Sequence, residues 1–193
     1  LIELKQKAKD MNAAIIDAET MQLRIELSEQ IKDLKALKAC GEMYGLDLGR
    51  PAKNADEAIQ WSYFGYLGSD KQQDGAAISF GRVDAFVDIF IEKDSAAGVL
   101  TEDQAQELID DVIMKLRIVP HLRTPEYEAL FAGDPTGITF VLGGRTMDDK
   151  SMVTRTSYRI VHTLTTLGPG PEPNMTILWD SRLPMIWRRY CAD

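Results

Sequence analysis

Apolar residues recur at helical spacing from Glu3 to Ala39, a stretch rich in strong helix formers. Leu4, Ala8, Met11 and Ile15 make one stripe, and Leu27, Ile31, Leu34 and Leu37 make another. The stripes fall out of register around Ile16 to Thr20, which predicts two helices with a break between them. A turn over Gly45 to Pro51 follows. Asn54 is placed to cap the next helix, with Glu57 three residues on as in a capping box, and Ile59, Trp61, Phe64 and Leu67 on its length. Gly68 to Gly75 reads as a polar connection.

Beyond it, Ala76 to Gly81 is short, small and apolar, and fits either a strand or a buried loop. Val83, Phe86, Val87 and Phe90 give a helical face closed by Gly98. Thr101 to Gln104 is a second capping box, ahead of Leu108, Ile109, Val112, Ile113 and Leu116 on one side. Thr124-Pro125-Glu126 starts a short helix that Gly133-Asp134-Pro135 ends. Ile138 to Leu142, β-branched and aromatic before Gly143-Gly144, is the best strand candidate. A helix over Val153 to Leu167, a buried strand over Met175 to Trp179 and a short helix over Leu183 to Tyr190 complete the pattern. Helices dominate, and the few strands are so far apart in sequence that they are expected to need partners from elsewhere.

Charge narrows the function classes. The 193 residues carry a formal net charge of −8, which argues against nucleic acid, since neutralising phosphates needs a basic face. It argues in the same direction against an anionic membrane surface. No apolar run approaches the roughly 20 residues of a spanning helix, and the charged start Leu1 to Lys7 is no signal peptide. Two distant cysteines, Cys40 and Cys191, favour a reducing cytoplasm over a disulfide framework. Both ends of the chain look cut.

Candidate chemistry is sparse. His121 and His162 lack a partner at ligand spacing and read as structural or exposed. Gly143-Gly144-Arg145 fits an anion nest or, as the favoured reading, a turn. Asp110-Asp111 and Asp148-Asp149 read as solvated surface, and Trp61, Trp179 and Trp187 as core or interface anchors.

Longer blocks carry more. Ala58-Ile59-Gln60-Trp61 with Tyr63 to Leu67, Gly75 to Arg82, Met114 to Arg117, Leu122 to Tyr127, Leu130-Phe131 with Gly133-Asp134-Pro135, and Gly170 to Trp179 resemble pyruvate formate-lyase, a glycyl radical enzyme, in family order along almost the whole chain. The resemblance implies an α/β fold, a helix-rich portion of a ten-stranded α/β barrel. It implies one partial domain over 1–193, with a helical arm over 1–45 and barrel helices and strands over 54–193. The implied activity is a cytoplasmic, homodimeric formate C-acetyltransferase turning pyruvate and coenzyme A into acetyl-coenzyme A and formate. A radical-SAM activating enzyme is its implied partner.

In such enzymes an adjacent cysteine pair and a glycyl radical near the C-terminus do the chemistry. The chain has neither motif, so the segment is expected to bind no cofactor, to hold no catalytic residue and to be inactive alone. Ala76, Phe131 and Gly137 fall where the family lines its substrate pocket. Gly137 replaces a tryptophan of the pyruvate-specific members, which raises the alternative of a bulkier 2-oxo acid. A non-catalytic helical structural or interaction module is the other alternative.

Overall fold

The computed structural model describes residues 1–11, 17–73, 77–119, 125–130 and 137–192. It divides into two compact units, Leu1–Ala52 and Lys53–Asp193.

In the first unit, α1 (Ile2–Met11) and α2 (Ala18–Met43) are joined by hydrogen bonds from Lys5 to the Gln30 side chain and from Arg24 to the Lys9 carbonyl. The break falls where the stripes lose register: Asp17 caps α2, accepting from Thr20 N–H at 2.7 Å. Leu27 and Ile31 are buried and Leu34 and Leu37 half-buried, as their spacing predicts. Leu4 is exposed, because α1 turns Ile2, Lys5 and Ala8 inward instead. Beyond α2, Gly41 lies so close to the returning chain that a Cβ there would stand 2.6 Å from Leu48 Cγ.

The second unit holds the sheet. Its elements in order are α3 (Ala55–Gln73), β1 (Ile78–Gly81), α4 (Val83–Ala96), α5 (Glu102–Ile118), α6 (Pro125–Leu130), β2 (Ile138–Gly143), α7 (Arg155–Thr166), β3 (Asn174–Leu178) and α8 (Met185–Tyr190). Both expected capping boxes form, and the expected cap Thr124 lies outside the described residues. Asn54 accepts from Glu57 N–H at 2.8 Å while the Glu57 carboxylate reaches back to Lys53 N–H, and Thr101 and Gln104 close a reciprocal box.

Three expectations need correction. The expected polar connection over Gly68 to Gly75 is helix as far as Gln73, where α3 ends, and its last two residues lie outside the described residues. An exposed glycine inside a helix costs only about 1 kcal/mol relative to alanine, and buried Tyr66 anchors this last stretch. The strands are not isolated either. They form one parallel sheet in the order β1-β2-β3, with Ile78 opposite Ile138 and Phe140 opposite Met175. Parallel neighbours require long crossovers, here through helices, so their pairing is invisible to local sequence. Finally, β3 is half-buried rather than buried, and Trp179 just beyond it is 60% exposed.

One face of the sheet makes the core. Ile138, Phe140 and Leu142 of β2 pack with Ile59 of α3, Val87 and Ile91 of α4, Ile109, Ile113 and Leu116 of α5, Ile160 of α7 and Trp187 of α8. Each such side chain contributes roughly 1.5–3 kcal/mol on burial. The space left between them is about 10 Å³, too small for a ligand. Among the described residues, no helix is long and apolar enough to cross a membrane.

Candidate functional site

Among the described residues, the other face of the sheet lies partly open. Ser79, Asn174, Thr176 and Leu178 are exposed there, and Thr139 and Val141 are half-buried. Register aligns Ser79, Thr139 and Asn174 in one row across the three strands, with Val141 opposite Thr176 above it. Parallel sheets are normally covered on both faces. Ser79, Thr139 and Asn174 make this face a wall with a row of small hydroxyl and amide side chains.

Gly137 stands at the foot of this wall, one residue before β2. Its φ is +66°, in the left-handed region that side chains other than glycine's enter at a cost. The backbone thus supplies its own reason for glycine at this position, independent of pocket size. Its N–H donates to the carboxylate of Glu172, which also accepts from Ile138 N–H at 3.2 Å. Ala76 and Phe131, the other two residues expected in the pocket, lie outside the described residues, as does His121. Ala77, next to Ala76, is exposed.

The residues that hold this edge escaped single-residue reasoning. Glu172 is only 4% exposed. Arg117, near the end of α5, donates to three carbonyls of the turn between α7 and β3: Nε to Glu172 at 2.9 Å, Nη2 to Gly168 at 2.9 Å and Nη1 to Leu167 at 3.4 Å. Their signal was present only in the blocks Met114 to Arg117 and Gly170 to Trp179.

At the other end of β2, Gly143 closes the strand and Gly144 follows it, with φ of +68° and +79°. The fully buried Asp84 accepts from Gly143 N–H at 3.2 Å and from Ser157 Oγ at 2.7 Å, while Arg82 donates to the Gly143 carbonyl at 2.6 Å. The protein's own carboxylate thus takes the Gly143 N–H, and Arg145 pairs with Ser151 across a hairpin loop, in line with the favoured reading of a hairpin or loop turn. His162 is exposed on α7, beside an open groove of about 560 Å³ that also borders Glu102, Arg159 and Tyr190. Cys40 and Cys191 are both half-buried free thiols, and burial pushes the Cys191 thiol up, away from the reactive thiolate. Asp111 pairs with Lys115 at 2.6 Å and Asp149 with Arg145 at 2.8 Å, both at the surface.

Residues 5–193 match the family described as pyruvate formate lyase-like. The chain belongs to that family. It is 49% identical over 183 residues to formate acetyltransferase 1 of Escherichia coli (strain K12), a match covering 95% of this chain and 24% of that protein. The chain thus spans a minor part of the length of this relative. Among solved structures it resembles the B12-independent glycerol dehydratase of Clostridium butyricum, with a TM-score of 0.68 and 22% identity over 97% of this chain and 22% of that one. The hydroxyproline dehydratase of Clostridioides difficile gives 0.67 and 18% over 97% and 22%. A glycyl radical enzyme of Archaeoglobus fulgidus gives 0.68 and 16% over 99% and 22%. At these identities the likeness is one of fold, and the helix-backed parallel sheet is a portion of their α/β barrel.

Proposed function

We propose that this chain is a section of a formate acetyltransferase, forming barrel wall and part of the pocket that holds pyruvate. The observation that carries the reading is the 49% identity to formate acetyltransferase 1 across 95% of the chain. The partly open polar face supports it, because a barrel wall has one helix-covered side and one side turned to the interior. In the proposed reaction the bond between the carboxyl and carbonyl carbons of pyruvate breaks, the acetyl group passes to the sulfur of coenzyme A, and formate leaves. A glycyl radical elsewhere in the polypeptide would supply the one-electron chemistry. The residues in this chain orient and enclose. Gly137 sets the foot of the wall, Ser79, Thr139 and Asn174 offer neutral hydrogen-bonding groups, and the packed helical side keeps water from the interior.

Pyruvate and coenzyme A are the proposed substrates. A radical-SAM activating enzyme and a second copy are the proposed partners, in the cytoplasm. Because φ at Gly137 already explains the glycine, pyruvate is preferred here to a bulkier 2-oxo acid. The test is to activate the complete polypeptide without oxygen and supply both substrates. Acetyl-coenzyme A and formate are expected in equal amounts, while the 193-residue chain gives neither product nor a radical doublet by electron paramagnetic resonance. An activated complete polypeptide that leaves pyruvate untouched contradicts the reading, as does a doublet from the chain itself.

A further inference from the structure

We infer that Glu172, backed by Arg117, is a positioning residue of the proposed substrate pocket, fixing the backbone of Gly137 at the entrance to β2. This rests on the reading of that pocket as one for pyruvate. The Glu172 side chain is buried, and a desolvated carboxylate requires donors. Two are the backbone N–H groups of Gly137 and Ile138, both directed at Oε1.

Glu172 is itself held from behind. The three bonds from Arg117 to the Leu167, Gly168 and Glu172 carbonyls pin the turn that carries it. Gly170 lets the guanidinium in, since a Cβ there would lie 3.0 Å from Arg117 Cζ. A continuous path therefore runs from α5, through this turn, to the carboxylate and on to Gly137. Glycine has no side chain to confine its own backbone. The hold on Gly137 comes from outside, and Glu172 provides it. Glu172 touches backbone rather than substrate, so its effect on the reaction passes through the placement of Gly137.

The experiment compares Glu172→Ala and Glu172→Gln in the complete polypeptide, with two readouts. Hydrogen exchange at the Gly137 and Ile138 amides should rise about tenfold in Glu172→Ala, the equivalent of one lost hydrogen bond, and stay near wild type in Glu172→Gln, whose amide oxygen still accepts. The ratio of kcat/KM for 2-oxobutanoate over pyruvate should shift about tenfold in Glu172→Ala, the scale of one methylene's discrimination, and again be restored in Glu172→Gln. A variant that is merely less stable changes the active fraction and leaves this ratio alone. Should Glu172→Ala not fold, Glu172→Asp withdraws the carboxylate by one methylene and should move both readouts in the same direction. Amides released with an unchanged ratio, or amides not released at all, overturn the inference. If the complete polypeptide does not act on pyruvate, the functional reading fails, while the exchange readout still decides whether Glu172 holds Gly137.

Discussion

Arg159 of α7 grips Glu102 of α5 through two parallel hydrogen bonds of 2.7 Å, Nε to Oε1 and Nη2 to Oε2. The arginine is only 3% exposed and also reaches Glu92 of α4 at 3.3 Å and Thr156 at 3.2 Å. One guanidinium thus ties together three helices that back the sheet. Arg159→Ala removes these bonds and leaves a void, and should destabilise the protein by about 2–4 kcal/mol. Arg159→Lys keeps the charge without the planar fork and should recover only part of that. Urea unfolding of the two variants checks the order.

The same pair sets a pH dependence. Hydrogen bonding from Arg159 holds the Glu102 carboxyl below its ordinary value of 4.5. A depressed acid stabilises the fold fully above that ordinary value, and the contribution fades as pH falls through the folded value. Because the Glu102 side chain is 65% exposed, solvent screens the pair and its contribution is about 1 kcal/mol or less. The stability difference between wild type and Glu102→Gln should therefore be constant from pH 7 to 5 and shrink below pH 4.5. A difference that grows on acidification contradicts the assignment.

Two glycines should respond to alanine with opposite signs. Gly144 has φ of +79°, and a Cβ there would lie 2.8 Å from Arg82 Nη2 and 2.9 Å from Leu178 Cβ. Gly144→Ala should cost about 1–3 kcal/mol. Gly68 lies inside α3 with nothing within 4 Å of the same position. Gly68→Ala should stabilise by about 0.5–1 kcal/mol. Thermal unfolding of both variants gives the comparison directly.

At Gly137 the positive φ ranks the tolerated residues. Asparagine enters the left-handed region more readily than other side chains, so Gly137→Asn should cost less than Gly137→Ala, and Gly137→Trp at least as much as alanine, about 1–2 kcal/mol. A tryptophan variant as stable as wild type shows that the backbone here readily adopts another conformation.

Much of the helical layer was legible because capping and periodicity are local. Thr101 with Gln104, and Ile109, Val112 and Leu116 behind them, announce α5 before any contact is known. The polar stretch after Gly68 misled because propensity is a weak prior, and burial of Tyr66 outweighs it. Pairing of β1, β2 and β3 was not legible, since each parallel neighbour lies beyond a helix in the chain. Of the proposed pocket, Gly137 was singled out by resemblance, and its φ was not legible. Glu172 and Arg117 were hidden because their work is done on backbone atoms of residues far away in sequence.

The most direct measurement of the central claim is a segment exchange. The corresponding stretch of E. coli formate acetyltransferase 1, to which this chain is 49% identical, is replaced by this chain, and formate release from pyruvate and coenzyme A is followed after anaerobic activation. The account predicts a hybrid that carries the radical and releases formate, with kcat/KM within about a hundredfold of the parent, the scale of an ångström-sized misplacement. A hybrid that sediments like the parent and carries the radical, yet releases no formate, contradicts it.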